Sequence, residues 1–221
     1  YDWINKNSIP LSIFKKLLRM NNYKIEDFKD RIDIKESFWG QKLNKEKPIK
    51  LPNPNSEKFA EFYGVMLGDG CIFSNMKGLT ITGDKFLERK YYEEYLSPLI
   101  NELFGSQPKI VYEKDRRVIR LILYSKRICY FLSDIGFPIG LKKRGNMKFP
   151  QFIIKNKKNL ASCLRGIMDT DGSLSSHPHS KVMIHISITS EDLKNSSLKA
   201  FKILGIKVGE FDKGIMIYGK N

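Results

Sequence analysis

The stretches FYGVMLGDG, residues 62–70, and LRGIMDTDG, residues 164–172, are two versions of one pattern. Each has a small residue, a largely apolar run, a second small residue four positions after the first, and then Asp-Gly. The aspartates, Asp69 and Asp171, are 102 positions apart, which leaves room for one small α/β unit between the motifs. The duplication predicts two related halves, each opened by an apolar helix that ends in a carboxylate.

The small residues of the motif predict that the two helices pack on each other. Gly64 and Gly68 share one face of a helix, and Gly166 and Thr170 share the matching face of the other. Small residues at this spacing let two helix backbones approach more closely than side-chain ridges normally allow. The pairing would place the two Asp-Gly ends side by side, where each glycine lets the chain turn sharply out of its helix.

The electrostatics of this arrangement predict a bound metal ion. A carboxylate at a helix C-terminus opposes the macrodipole at a cost of about 0.3–1 kcal/mol, and two adjacent carboxylates also repel each other. A divalent cation would remove both penalties, and oxygen ligands favour Mg²⁺ or another hard ion such as Mn²⁺ or Ca²⁺. The predicted ligands are Asp69 and Asp171, together with Gly68 and Thr170, the residues before them. A metal beside a basic surface favours phosphodiester hydrolysis.

The composition indicates a folded basic protein. The chain has 221 residues, 41% of them hydrophobic, and carries 39 Lys and Arg against 24 Asp and Glu, a net charge of +15. This excludes a disordered basic tail and favours nucleic acid or an anionic membrane surface as the partner. No apolar run approaches ~18 residues and no cationic leader precedes one, which argues against a membrane. The charge excess therefore favours nucleic acid as the partner of this protein, which we expect to be a monomer.

Cysteine usage predicts a reducing compartment. Cys71, Cys129 and Cys163 are isolated, odd in number and form no Cys-x-x-Cys pair. This argues against a disulfide framework or a zinc site, and it favours an intracellular location in the cytoplasm, the nucleoid or an organelle over secretion. The chain starts at Tyr1 rather than Met, as expected of a fragment or a processed piece.

Three segments are predicted: residues 1–55, a helical N-terminal segment with a linker; residues 56–158, the first repeat; and residues 159–221, the second repeat. In the first segment, LSIFKKLLRM (11–20) and KIEDFKDRI (24–32) have the spacing of short amphipathic helices. They would form either a helix-turn-helix-like DNA module or a helical brace packed on the main domain. The pattern leaves both open.

Both repeats predict a helix, a strand pair, a long helix and a hairpin. The long helix of the first repeat is predicted from Lys85 to about Phe104. In the second repeat, KVMIHISIT (181–189) alternates strictly, which predicts one buried face and one open polar face. We expect Ile188-Thr189-Ser190-Glu191 to correspond to the stretch 81–84. The second repeat stops where its last helix should begin, so part of the apolar face of strand 181–189 should be uncovered.

On these residues the chain resembles the LAGLIDADG homing endonucleases, in the single-chain form with two motifs. The resemblance covers residues 57–221; the motifs are its most specific part, and the run GFPIGLKKRGNMKFP at 136–150 is also similar. It implies an α/β (α+β) fold of two pseudo-symmetric αββαββα repeats, packed through paired motif helices, with saddle-shaped antiparallel sheets. It also implies Mg²⁺-dependent cleavage of both DNA strands across the minor groove, leaving short 3′ overhangs.

The resemblance implies roles for individual residues. Asp69 and Asp171 match the metal-binding acids, and Lys142 or Lys143 matches the basic residue near the scissile phosphate. By charge patterning alone, a solvated basic loop is the favoured interpretation of the lysine pair. Its position near the end of the first repeat leaves a catalytic role for one of the two lysines equally open. Gly83 stands where some members carry Gln, so that role has no counterpart here. Asp169 has no acidic counterpart in the first motif, which places it outside the metal ligands.

DNA contacts are predicted on the open faces of the two sheets. The predicted contact residues are Arg116, Arg120, Lys181, His185, Thr80, Thr82, Ser187 and Thr189. Three functions remain open: a sequence-specific endonuclease; a protein of the same fold without strong cleavage, such as an intron RNA maturase or a transcription regulator; and a generic basic nucleic-acid-binding domain, which would leave the duplication unexplained. An origin inside an intein is also open. Both motif acids are present, which favours the endonuclease.

Overall fold

The computed structural model describes residues 11–23, 49–140, 147–175 and 182–218. Its helices, in chain order, are α1 (Leu11–Met20), α2 (Glu57–Gly68), a π-helical segment (Tyr91–Leu96) that leads into α3 (Ser97–Phe104), α4 (Lys126–Asp134), α5 (Gln151–Ile154), α6 (Lys157–Asp171) and α7 (Glu191–Leu204). Its strands are β1 (Gly70–Ile72), β2 (Leu79–Asp84), β3 (Lys109–Tyr112), β4 (Val118–Leu123), β5 (Gly172–Ser175), β6 (Met183–Ser187), β7 (Gly209–Phe211) and β8 (Gly214–Tyr218).

The strands form two four-stranded antiparallel sheets with matching connections. Sheet A has the order β1-β2-β4-β3 and sheet B the order β5-β6-β8-β7. In each half a motif helix leads directly into the first strand, and a second helix connects the second strand to the third. The predicted mixed α/β architecture of two pseudo-symmetric halves is confirmed.

The motif helices α2 and α6 lie in the middle of the core. The side chain of Ser56 caps α2 by accepting a hydrogen bond from the N–H of Phe59. The side chain of Asn156 caps α6 by accepting hydrogen bonds from the N–H groups of Lys158 and Asn159. From Phe59 to Leu67 every residue of α2 is buried. A helix with no solvent face is typical of a central position, and this accounts for its nearly continuous apolar sequence.

Sheet A has one buried face and one open face, set by the cross-strand register. Ile81 pairs with Leu121, and both are buried. One position along, Thr82 pairs with Arg120, so these two side chains lie on the opposite, open face. Thr80 shares this face because it lies two positions from Thr82.

The correspondence between the two halves differs from the sequence-based expectation. Gly70, which follows the first aspartate, pairs with Ile81, while Gly172 pairs with Ile186. Ile186 is therefore the counterpart of Ile81, and the expectation that Ile188 takes this place is wrong. The Ile-Thr sequence recurs at 188–189. The strand register, measured from the Asp-Gly that ends each motif helix, instead matches Ile81 with Ile186.

The same register places two predicted contact residues on the open face of sheet B. His185 takes the place of Thr80 and Ser187 that of Thr82, while Ile186 between them is buried. The alternation predicted for this strand is therefore present.

The long helix predicted from Lys85 begins later. Lys85, Phe86 and Leu87 form a turn, and helical structure starts at Arg89. Asp84 ends β2 and its Oδ1 accepts hydrogen bonds from the N–H groups of Phe86 and Leu87. This side-chain capping holds the turn in place, an effect that helical periodicity does not reveal.

The apolar face of sheet B is partly uncovered. In the first half, the chain after α4 runs beside β1, where Ile139 forms a parallel bridge with Ile72, which is 0% exposed. Leu174, the counterpart of Ile72, is 76% exposed, and Val182, which directly precedes β6, is 51% exposed. No described residue of the second half takes the place of Ile139.

The helix α1 contacts the first half. Lys15 pairs with Asp134 at the end of α4, and Leu18 is buried. The second helix expected at 24–32 lies outside the described residues. Across the ranges that the structure describes, no helix is long and apolar enough to cross a membrane.

Candidate functional site

The motif helices touch along their backbones where the small residues lie. A Cβ atom at Gly64 would collide with the carbonyl oxygen of Cys163. A Cβ atom at Gly166 would collide with the carbonyl oxygen of Glu61 and lie 2.7 Å from the nitrogen of Val65. At both glycines the nearest atoms belong to the backbone of the other helix, so side-chain rearrangement cannot make room for a larger residue.

The C-terminal ends of the two helices also meet. A Cβ atom at Gly68 would collide with the hydroxyl of Thr170 and lie 3.2 Å from Oδ2 of Asp171. The Thr170 hydroxyl donates to the carbonyls of Gly166 and Ile167, at 3.1 and 3.0 Å. The carboxylate of Asp171 therefore lies against the residue that precedes Asp69. Three of the four predicted metal-site residues, Gly68, Thr170 and Asp171, are in close contact, and Asp69 follows Gly68 in the chain.

Asp69 is held between its helix and the sheet. Its N–H donates to the carbonyl of Val65 at 3.0 Å, and its own carbonyl accepts from the N–H of Thr82 at 3.3 Å. The first contact continues the helix and the second connects Asp69 to β2. The backbone at this acid is thus anchored on two sides, as a preorganised site requires.

The glycines that follow the acids are required by a close approach. A Cβ atom at Gly70 would collide with Met66, and one at Gly172 with the carbonyl of Met168. Met66 and Met168 occupy the same position in the two motifs, so the chain leaves both helices along equivalent paths. The equivalence extends from the acids to the turns after them.

The donor set fits a hard divalent cation. Asp69 and Asp171 supply carboxylates, and Gly68 can contribute only a backbone oxygen because it has no side chain. Within the described ranges, no three or more His, Cys, Asp and Glu side chains are grouped closely enough to hold a metal ion. Mg²⁺ commonly uses one or two carboxylates and fills its remaining positions with water and phosphate oxygens, so two acids suffice.

A second polar cluster, which sequence reasoning missed, crosses the same helix interface. Glu61 in α2 is 2% exposed; it accepts a hydrogen bond from the hydroxyl of Tyr95 at 2.5 Å and forms an ion pair with Arg165 in α6. The cluster therefore links both motif helices to the π-helical segment. An acid inside an otherwise apolar helix was the available signal, but its partner Arg165 is 104 positions away.

Asp169 belongs electrostatically to this second cluster. Desolvation, followed by the nearby charge of Glu61, raises the pKa of Asp169, while Arg165 lowers it. Desolvation, followed by the charges of Asp169 and Glu61, raises the pKa of the partly buried Tyr91. That Asp169 lies outside the metal ligands stays a prediction.

The predicted DNA contacts of the first half lie on or beside the open face of sheet A. Arg120 forms an ion pair with Glu113 at 2.7 Å, and Arg116 is exposed in the β3–β4 turn. Thr80 and Thr82 line the same face. Thr80, Thr82 and Arg120 thus form a polar face on the strands beside Asp69, and Arg116 lies at the β3–β4 turn at the end of this face.

The second half has a different surface. The ring of His185 lies 3.1 Å from the hydroxyl of Ser175 and packs edge-on against Phe211, with 5.9 Å between ring centres. Ser187 and Thr189 are exposed. Strands β5–β8 contain neither Lys nor Arg, whereas β1–β4 contain both, as Lys109 and Arg120.

Three predicted basic residues, Lys142, Lys143 and Lys181, lie outside the described residues. The segment that precedes the lysine pair is anchored, since the N–H of Gly140 donates to the carbonyl of Ile72 at 2.9 Å. Ile72 ends the strand that starts after Asp69, so the chain returns to the first motif just before it reaches the lysines.

No protein-family model matches the sequence. Two similar proteins are A-type ATP synthase subunits A from two archaea. That of Pyrococcus abyssi is 30% identical over 127 residues, which is 57% of this chain and 12% of the relative. That of Pyrococcus horikoshii is 26% identical over 170 residues, 75% of this chain and 16% of the relative. The chain thus spans only a small part of the relatives it matches.

Solved structures show the fold. A variant of the homing endonuclease I-DmoI, in complex with its target DNA in the presence of Mg, is 16% identical; the match covers 76% of this chain and 92% of that one, with a TM-score of 0.52. Full-length DUF199/WhiA from Thermatoga maritima is 17% identical over 76% of this chain and 51% of that one, with a TM-score of 0.51. The chain therefore has the LAGLIDADG fold.

Proposed function

We propose that this protein is a sequence-specific double-strand DNA endonuclease that hydrolyses phosphodiester bonds with the help of a divalent metal ion. One observation carries the proposal. The two motif helices end next to each other, with the carboxylate of Asp171 against the residue before Asp69. Two like charges at such a point repel each other, and a metal ion that binds DNA phosphates would compensate them.

The metal ligands we propose are Asp69 and Asp171, with backbone oxygens of Gly68 and Thr170 in support. A bound cation of this type supplies an activated water and stabilises the leaving oxygen. The protein supplies one acid from each pseudo-symmetric half. A single centre between the halves can therefore serve both strands of a duplex that lies across the two sheets.

The basic residues would position the duplex and balance charge. We assign the open faces of both sheets to DNA, with Arg120 and Arg116 as phosphate contacts in the first half. Lys142 or Lys143 would stabilise the charge that develops on the scissile phosphate. The anchoring of Gly140 on β1 supports this assignment because it brings the chain back to the first motif.

The alternative is a nucleic-acid-binding protein of the same fold with weak or no cleavage. The uneven distribution of cations favours it, since strands β5–β8 lack Lys and Arg. An enzyme that must hold two strands equally would be expected to contact both half-sites with similar strength. Binding without cleavage in the presence of metal would identify this alternative.

We also propose that the protein is carried within a longer host protein. The curated relatives are named for ATP synthase, and the chain matches 12% and 16% of their lengths. A basic LAGLIDADG-fold segment has no evident part in ATP synthesis. An embedded endonuclease, one of the origins that the sequence left open, accounts for this combination.

Selection from a randomised duplex library would test the function. The protein is incubated with the library and Mg²⁺, and the cut ends are sequenced. We expect one recurrent sequence cut on both strands with a constant stagger. Retention of duplexes without any enriched cut end would favour the binding protein, and neither binding nor cutting would exclude both.

A further inference from the structure

Two consecutive large apolar side chains are exposed just after the end of β2, an inner strand of sheet A. Phe86 is 68% exposed and Leu87 is 79% exposed. They occupy the turn between β2 and the helical region that begins at Arg89. Exposed apolar residues scattered singly are common on protein surfaces, but an adjacent pair at the tip of a turn is a feature of contact sites.

The turn is built to present these side chains. Oδ1 of Asp84 accepts from the N–H of Phe86 at 2.8 Å and from that of Leu87 at 3.1 Å. The N–H of Asp84 in turn donates to Oε2 of Glu88 at 2.6 Å. These hydrogen bonds fix both ends of the turn, and those from Phe86 and Leu87 hold the pKa of Asp84 below its usual value. The apolar tip is therefore preorganised.

Two cations flank the tip. Nζ of Lys85 and the guanidinium of Arg117 lie 5.3 and 5.5 Å from the centre of the Phe86 ring. Arg117 also pairs with Asp84 at 2.9 Å, and Lys85 donates to the carbonyl of Glu113 at 2.8 Å. Apolar groups between cations fit a polyanion that also offers apolar surface, as a DNA duplex does with its phosphates and stacked bases.

The turn borders the surface assigned to DNA. Glu113, to which Lys85 is bonded, also pairs with Arg120 of the open face. Along β2, Asp84 is three positions beyond Ile81, which pairs with the residue after Asp69, so the turn is about 10 Å from the motif end. At the corresponding described residues of the second half, Ser190 directly caps α7, so this turn has no counterpart there.

We infer that Phe86 and Leu87 form an apolar wedge that contacts the bases of the target duplex beside the cleavage centre. Apolar side chains between cations are used by DNA-bending proteins to unstack a base step while the cations hold the phosphates. This inference rests on the proposed function for its partner, double-stranded DNA. The wedge would act on one half-site only, since only the first half contains the turn.

The test compares the wild-type protein with the double variant Phe86→Ala/Leu87→Ala. The probe is a fluorescein-labelled duplex of mixed sequence that carries 2-aminopurine, whose fluorescence rises when bases unstack. We expect the double variant to bind about tenfold more weakly, within the range for the loss of base–aromatic contacts. The rise in 2-aminopurine fluorescence should be lost, and the salt dependence should not change because no charge is removed.

The matched control is Tyr130→Ala, which removes an exposed aromatic ring from α4 and should leave both signals unchanged. Thermal melting verifies that each variant is folded. If the double variant is unfolded, the single variant Leu87→Ala replaces it in the comparison. Affinity and fluorescence equal to those of the wild type would overturn the inference. The inference would also be overturned if the double variant lost binding to phosphatidylserine vesicles but bound the duplex as tightly as the wild type.

The inference and the proposed function fail separately. The Asp69→Asn variant lacks a proposed metal ligand but retains the turn, so it should keep the 2-aminopurine signal. Wedge signals from a wild-type protein that cuts no DNA would support the wedge and overturn the endonuclease.

Discussion

Glu61 is a charged residue at a place where burial would normally exclude one. It is 2% exposed, and its neighbours along the helix, Phe62 and Ala60, are fully buried. An unpaired carboxylate there would be strongly destabilising, but Arg165 and Tyr95 provide a cation and a hydroxyl. Because the three groups come from three different helical segments, the cluster specifies how the motif helices are oriented as well as how closely they pack.

We predict that Arg165→Met lowers the free energy of unfolding by about 1–3 kcal/mol, because it leaves a buried carboxylate without its cation. Adding Glu61→Gln should recover part of the loss, since the amide carries no charge. Urea denaturation measures both changes, and Lys199→Met on the exposed side of α7 is the control. Equal stability of the Arg165 and Lys199 variants would show that the pair has no structural role.

The paired motif helices are the element on which both halves depend. They meet through backbone atoms at Gly64 and Gly166, and neither position leaves room for a methyl group. Overpacking of an interior commonly costs 1–3 kcal/mol, and here the obstruction is a main chain that cannot rotate away. Separation of the helices would also move Asp69 away from Asp171, so the proposed metal site and the fold depend on one interface.

Gly64→Ala and Gly166→Ala should each destabilise the protein by about 2 kcal/mol or more. Gly209→Ala is the matched control, because its Cβ would lie 3.4 Å from the nearest atom, an ordinary contact. Thermal unfolding of the three variants makes the comparison. If the two motif variants have the same melting temperature as the control variant, the close approach of α2 and α6 is not a determinant of stability.

The paired helices and the alternating strand could be predicted because their signals are local. Small residues four positions apart and the alternation at 183–187 are visible within a few residues of sequence. The alignment of the two halves could not be predicted, since Ile188 resembles Ile81 by letters while hydrogen bonding pairs Gly172 with Ile186. The contact between Glu61 and Arg165 was missed for a related reason: it joins residues that only the fold brings together.

The turn at Phe86 shows a second limit of periodicity. The apolar spacing continues through it, so a helix from Lys85 was the natural expectation. Asp84 accepts hydrogen bonds from the N–H groups of Phe86 and Leu87 in the manner of a helix N-cap, and its carbonyl accepts from the N–H of Glu88, so a single capped turn precedes the continuous helix that begins at Arg89. Side-chain capping of this kind depends on a rotamer choice that the order of residues does not specify.

At the scale of the whole molecule, charge and topology act together. The chain has a net charge of +15, and the two cations that lie within its strands are both in the first half: Lys109 and Arg120 are in sheet A, and the strands of sheet B have no Lys or Arg. Electrostatic attraction to phosphate supplies most of the affinity in nonspecific DNA binding. The first half is therefore expected to contribute more of the salt-sensitive affinity than the second.

DNA affinity should fall steeply with salt. If about eight phosphates are neutralised, a plot of log K against log salt should have a slope of about −7. Arg116→Gln/Arg120→Gln should make the slope shallower by about 2, because two phosphate contacts are removed. Fluorescence anisotropy over a series of salt concentrations measures both slopes. A slope near zero for the wild type would mean that the charge serves solubility alone.

We propose that Asp69 and Asp171 form one metal-dependent cleavage centre for both DNA strands. The most direct measurement uses a duplex selected from the library, labelled separately on each strand, with the wild type, Asp69→Asn, Asp171→Asn and the control Asp192→Asn. In Mg²⁺, we expect the wild type and the control to cut both strands, and each motif variant to bind the duplex but to lose double-strand cleavage. Cleavage of both strands at near wild-type rate by either motif variant would contradict the claim.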